Sequence, residues 1–155
     1  MTRPRKHDDL FDQIAGFRPL IEAARNALLG ERGKPGAAVF AADMEKEVLR
    51  LERELFKQKY RPGRYKKIEI HDPKHRIVSA APFPDRVVHH ALYAVIGPIF
   101  ESGFIPDSYA NRVGKGTHRA VDRYEEFSRR FSHVLRCDIF RYFPAIDHTI
   151  LKGDI

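Results

Sequence analysis

The chain has 155 residues, 43% of them hydrophobic and 32% charged, which is enough for one domain with a real core and excludes a disordered chain. Lys and Arg total 28 against 21 Asp and Glu, giving a net charge of +7 and a pI near 9.7. That balance points to a polyanionic partner, nucleic acid before anionic membrane, with solvated lysines as the alternative; no apolar run is long enough to span a bilayer.

The N-terminus, Met1-Thr2-Arg3-Pro4-Arg5-Lys6, is basic but is followed by no apolar stretch or small-residue cleavage site, so no signal peptide is expected. The single cysteine, Cys137, has no partner for an internal disulfide, which agrees with a reducing, cytoplasmic setting.

In chain order, Leu10 to Leu29 reads as a helix, with Leu10, Ile14, Phe17, Ile21, Ala24 and Leu28 at three- and four-residue steps. Glu31 to Gly36 reads as a loop rich in breakers. A second helix is expected from about Phe40 to Lys59, with Met44, Val48, Leu51 and Leu55 on its apolar stripe. Tyr65 to Ile70 and Arg76 to Ala80 read as two strands joined by a turn at Asp72-Pro73-Lys74.

Asp85 is placed to cap a third helix carrying Val87, Val88, Ala91, Leu92, Val95 and Ile96, which Gly97-Pro98 should interrupt or kink. Gly103 to Gly116 is a loop, and a fourth helix follows from about Thr117 to Phe131. Val134 to Phe140 reads as a buried strand, and Asp147 can start a last helix. No internal repeat or low-complexity segment is present.

Four segments carry candidate chemistry. The run from Lys57 to Lys67 holds Lys57, Lys59, Arg61, Arg64, Lys66 and Lys67 with no acid among them, and Tyr60 and Tyr65 interleaved. Such a run suits phosphate contact with stacking; the alternative is a solvated helix end whose lysines protect a sheet edge. Lys74, Arg76 and Arg86 surround the expected hairpin and could bind phosphate, or form surface ion pairs, Arg86 with Asp85 or Asp107 for instance. Ser108 to Arg119, with Arg112 and Lys115, is a Gly-containing basic loop entering a helix, where backbone amides could hold a phosphate; its spacing is not that of a P-loop.

The fourth segment is Asp138-Ile139-Phe140-Arg141-Tyr142-Phe143-Pro144-Ala145-Ile146-Asp147-His148. A carboxylate ending an apolar strand needs a partner, and a divalent cation is one; the alternative is a turn-capping aspartate. Asp147 reads as a helix N-cap rather than a ligand. His71 and His75 are four apart, but Asp72-Pro73 prevents the helix that would align them, so the histidines are read as satisfied or exposed.

These segments, in this order, resemble bacterial reverse transcriptases of the group II intron lineage. HRIVSAAPFPDRVVHHAL (75–92) is similar to the fingers motif, PIFESGFIPDSYANRVGKGTHRAV (98–121) to the block after it, and LRCDIFRYFPAIDHTIL (135–151) to motif A of the palm. The resemblance is strongest to the enzymes of diversity-generating retroelements.

The resemblance implies an α+β chain: a helical N-terminal region over 1–62, then fingers and the first palm strand of a right-hand polymerase over 63–155. It implies RNA-directed DNA synthesis from deoxynucleoside triphosphates on an RNA template with a DNA or RNA primer, alongside a retroelement accessory protein and away from any membrane. Asp138 would bind Mg²⁺, and Ile139, Phe140, Arg141 and Tyr142 would line the incoming nucleotide, with Phe143 as its steric gate. Arg76 and Lys74 would reach the triphosphate; Arg112 and Lys115 would sit near template or primer phosphates. The family also uses a motif B and a Tyr-x-Asp-Asp motif C, which this sequence does not contain. The chain by itself is therefore expected to be incomplete and inactive, with a non-catalytic nucleic-acid-binding or maturase-like role as the alternative.

Overall fold

The computed structural model describes residues 9–71, 73–140 and 142–154. They belong to two compact units, Met1–Phe104 and Ile105–Ile155.

The first unit holds five helices and a hairpin: α1 (Leu10–Ala15), α2 (Phe17–Ala27), α3 (Pro35–Ala42), α4 (Met44–Phe56), β1 (Lys66–His71), β2 (His75–Ala80) and α5 (Phe83–Gly103). Its core lies between α2, α4 and α5. Leu20, Val48, Leu51 and Val87 are fully enclosed, with Phe40 and Phe83 packed beside them. Burying each large aliphatic side chain contributes about 1.5–3 kcal/mol relative to leaving it in water. Ala23, Ala24, Ala27 and Ala91 complete the core with small side chains.

Three boundaries differ from the periodic reading. The helix expected over 10–29 is divided at Gly16, whose backbone is extended (φ −69°, ψ 159°). The amide of Phe17, freed by that break, donates instead to Glu52 Oε1 of α4 at 2.7 Å. The helix expected from Phe40 begins earlier, at Pro35, whose ring suits the first helical turn, and is divided at Asp43 (φ −126°, ψ 40°). Helix α5 runs through Gly97-Pro98 as one element. A proline ring presses on the Cβ of the residue before it, and Gly97 has none, so the helix loses a hydrogen bond there without breaking.

The hairpin lies within a residue of its expected position. β1 and β2 pair antiparallel from Lys66↔Ala80 to His71↔His75. Asp72, assigned to its turn, lies outside the described residues. Successive residues alternate faces, so Lys66, Ile68, Ile70, Arg76 and Val78 share one side and Lys67, Glu69, His71, His75 and Ile77 the other.

The second unit comprises α6 (Thr117–Ser128), α7 (Tyr142–Ala145) and α8 (His148–Asp154). None of its described residues is buried. The strand expected over 134–140 is absent: 133–139 has no regular structure, and the two-stranded hairpin is the sheet found among the described residues. A strand exists only when its backbone N–H and C=O groups find a neighbour, and no described segment pairs with this one. Asp147 caps α8 as expected. Its Oδ1 accepts the Thr149 amide at 2.7 Å and the Ile150 amide at 3.3 Å, and these bonds hold its carboxyl below the usual range. The secondary structure as a whole is α+β, mostly helical with one small sheet.

Candidate nucleic-acid interface

Helix α4 ends at Phe56, and the basic run begins at its C-cap, Lys57. Gln58 takes a left-handed conformation (φ 54°), and the amides of Lys59 and Tyr60 both return to the carbonyl of Glu54, turning the chain out of the helix. The run is then anchored by one side chain. Asp85, 3% exposed, accepts the Tyr60 hydroxyl on Oδ1 at 2.6 Å and the Gly63 amide on Oδ2 at 2.7 Å. Burial, then the adjacent Asp85 carboxylate, push the Tyr60 phenol far above its ordinary pKa, so Tyr60 stays a donor at any physiological pH.

Asp85 is thus not the helix cap expected of it. Pro82 occupies that position, and Asp85 stands in the first turn of α5, where the helix dipole favours a carboxylate. Gly63 is required by close approach, since a Cβ there would lie 2.8 Å from Pro82 Cγ.

Beyond this anchor the chain lines a cleft of roughly 290 Å³ in the first unit. Arg64 and Lys66 come to it from the basic run, Arg86 from α5 and Lys34 from the segment before α3, with Pro82 and Phe83 as apolar wall. Glu31 is the one carboxylate in that lining. It accepts Lys34 Nζ at 2.7 Å and Arg86 NH1 at 3.0 Å, and these two bonds hold it below the usual carboxylate range. Arg86 also lies over the Phe83 ring, 5.6 Å from its centroid. The ion pair expected between Arg86 and Asp85 does not form, because Asp85 is occupied by Tyr60 and Gly63; within the second unit, Asp107 accepts Arg123 at 2.9 Å. Four cations around one opening against a single carboxylate suit an anion such as a phosphate.

The other expected site residues are distributed differently. Lys57, Lys59, Arg61, Lys67, Lys74 and Arg76 are exposed along the run and hairpin, and Arg61 donates to the Tyr60 carbonyl at 3.0 Å. Arg112 and Lys115 brace their own loop: Arg112 donates to the carbonyls of Ile105 (2.9 Å) and Ser108 (3.1 Å), and Lys115 to that of Pro106 at 2.5 Å while lying over the Tyr109 ring. Asp138, Ile139, Phe140, Tyr142 and Phe143 are all exposed; Phe143, at 81%, is no core residue in this chain and meets the Tyr142 ring edge-on at 5.2 Å. Arg141 lies outside the described residues. Among the described residues, Asp138 belongs to no cluster of three metal-ligating side chains.

In the sequence, Lys34 and Glu31 are residues of a breaker-rich loop. Nothing in their local sequence signals that Glu31 pairs with Arg86 or that both residues line one cleft with Arg64. A surface depression of about 930 Å³ lies along Ala41 to Arg53 and mixes acids with bases; it contains none of the expected site residues, and the smaller basic cleft is the better candidate. Compared with known proteins, the chain matches no family model and no curated protein sequence.

Replacing Tyr60 with Phe removes one of the two donors to a buried carboxylate and should destabilise the first unit by about 1–3 kcal/mol. Because folding raises the phenol's pKa, its contribution is complete below about pH 10 and fades as pH rises through the higher folded value. Denaturant melts should show a constant gap between wild type and Tyr60→Phe from about pH 6 to 9 that narrows above 10. A gap that is absent, or that widens with alkali, would contradict this.

Proposed function

We propose that this chain is the N-terminal part of a reverse transcriptase, an RNA-directed DNA polymerase, and that its first unit grips nucleic-acid phosphates. The observation that carries the reading is the convergence of Arg64, Lys66, Arg86 and Lys34 on one cleft, next to the hairpin bearing Lys74 and Arg76. Three sequence segments similar to polymerase fingers, the following block and motif A, in the family's order, support the same assignment. In this reading residues 1–62 form the helical N-terminal region and 63–155 the fingers and the start of the palm.

The partners are an RNA template, a DNA or RNA primer and deoxynucleoside triphosphates, and a retroelement accessory protein is a further candidate. The reading places the chain in the cytoplasm, which the lone Cys137 without a disulfide partner suits. Among the described residues no helix is long and apolar enough to cross a membrane. Asp138 would supply one carboxylate for Mg²⁺, whose role is to stabilise the attacking and leaving oxygens of phosphoryl transfer. The fit is partial, because one exposed carboxylate holds no metal pair. The side chains of this chain would instead position the partners: Ile139, Phe140 and Tyr142 beside the nucleotide, with Phe143 excluding a ribose 2′-hydroxyl. The exposure of Val121, Tyr124, Phe127, Val134, Leu135 and Ile139 supports a unit that is completed by packing against further structure.

A second reading, nucleic-acid binding without catalysis, is favoured because, among the described residues, Asp138 belongs to no group of three metal-ligating side chains. Both readings require phosphate contact at the cleft. Fluorescence anisotropy with a single-stranded RNA should show affinity falling steeply with salt, by about 0.7 log units per log of salt for each phosphate neutralised. Arg64→Ala and Lys66→Ala should each reduce that slope; a flat salt response would remove the cleft from both readings.

Catalysis separates them. In an enzyme completed by a downstream half bearing Tyr-x-Asp-Asp, Asp138→Asn should lower primer extension on poly(rA)·oligo(dT) by orders of magnitude while RNA binding persists. Full activity of that variant would overturn the polymerase assignment of Asp138.

A further inference from the structure

The turn end of the hairpin brings together three side chains that are separate in the sequence. His71 and His75 are directly opposed across the strands, their rings 4.7 Å apart between centroids and tilted by 39°. Glu69, two residues before His71 on the same face, places Oε2 3.6 Å from His75 Nε2. One ligand atom from each of the three lies within 4.8 Å of the others. Tetrahedral ligands about 2.0–2.2 Å from a zinc ion stand about 3.3–3.6 Å apart, so rotamer adjustments of about an ångström, open to exposed side chains, would close the site.

We propose that Glu69, His71 and His75 form a binding site for a borderline divalent transition ion of the Zn²⁺ class, independent of the carboxylate at position 138. The donor set decides the metal. Two imidazole nitrogens and one carboxylate suit Zn²⁺, Co²⁺, Ni²⁺ or Cu²⁺, whereas Mg²⁺ and Ca²⁺ take nearly all-oxygen shells. Two neutral imidazoles can each give a ring-nitrogen lone pair to one shared cation. Three protein ligands leave a coordination position open to water or to an anionic oxygen, as in zinc sites that exchange their fourth ligand. The ion would also cross-link the strands beside their turn. Because binding favours the folded hairpin, it would stabilise it by mass action.

The test uses the whole 155-residue chain, apo and titrated with ZnCl₂ by calorimetry, with Co²⁺ absorption to report ligand geometry. One equivalent should bind with a tetrahedral cobalt spectrum, and millimolar Mg²⁺ should not compete. The double variant His71→Gln/His75→Gln should lose roughly 100-fold or more in affinity, as two of three ligands are gone. Glu69→Gln, which retains both imidazoles, should weaken binding severalfold. All three side chains are exposed, so the variants should melt as the wild type does. Zn²⁺ should slow amide exchange within 66–80 in the wild type alone. No Zn²⁺ binding by the wild type, or equal binding by the double variant through Cys137 or other histidines, would overturn the proposal.

Discussion

The arrangement of the first unit turns on a carboxylate taken out of water. Asp85 gives up hydration to sit at the start of α5, and a carboxylate in that position is tolerable only with donors fixed on it. Tyr60 and Gly63 supply them from 25 and 22 residues upstream. These bonds join the exit of α4 to the start of α5 across the whole hairpin insertion. They also set the point from which Arg64 and Lys66 leave toward Arg86. A basic linker that would otherwise be free is held at one end, so in the proposed function less conformational entropy would be lost on meeting phosphate.

The two units differ in what supports them. The first has an enclosed core of aliphatic and aromatic side chains from α2, α3, α4 and α5. The second keeps its order through polar contacts: Asp107 with Arg123 and Tyr109, Arg123 with Glu126, and Arg112 and Lys115 on loop carbonyls. Gly116 enters α6 at φ 102°, a conformation that a side chain would strain. Exposed ion pairs of this kind contribute little each, and its apolar residues face solvent. A unit built so gains most of its stability from whatever surface covers it.

Signals in the sequence suffice where the physics is local. The hairpin registered through alternation and a breaker-rich turn, α6 through its periodicity, and Asp147 as a cap through its place before a short helix. Signals failed where a distant partner decides. Gly16 and Asp43 divide helices whose apolar spacing runs straight through them, because tertiary packing rewards a change of direction that periodicity does not record. Val134 to Phe140 has strand composition without a strand, since composition does not provide a neighbour. Helical spacing is not what brings His71 and His75 together; a hairpin opposes residues four apart just as well. Asp85 was legible as a helix-start residue, but its Tyr60 and Gly63 partners were not, and neither was the gathering of Lys34 and Arg64 around one cleft.

The central claim is that the segment anchored by Asp85 is where nucleic acid sits. Hydrogen exchange of the chain, with and without a single-stranded RNA at low salt, measures this directly. The account predicts slower exchange concentrated in 57–67 and at the start of α5, and loss of that effect in Asp85→Asn even where the variant remains folded. Protection confined to the second unit, or RNA binding that leaves 57–67 unchanged, would contradict it.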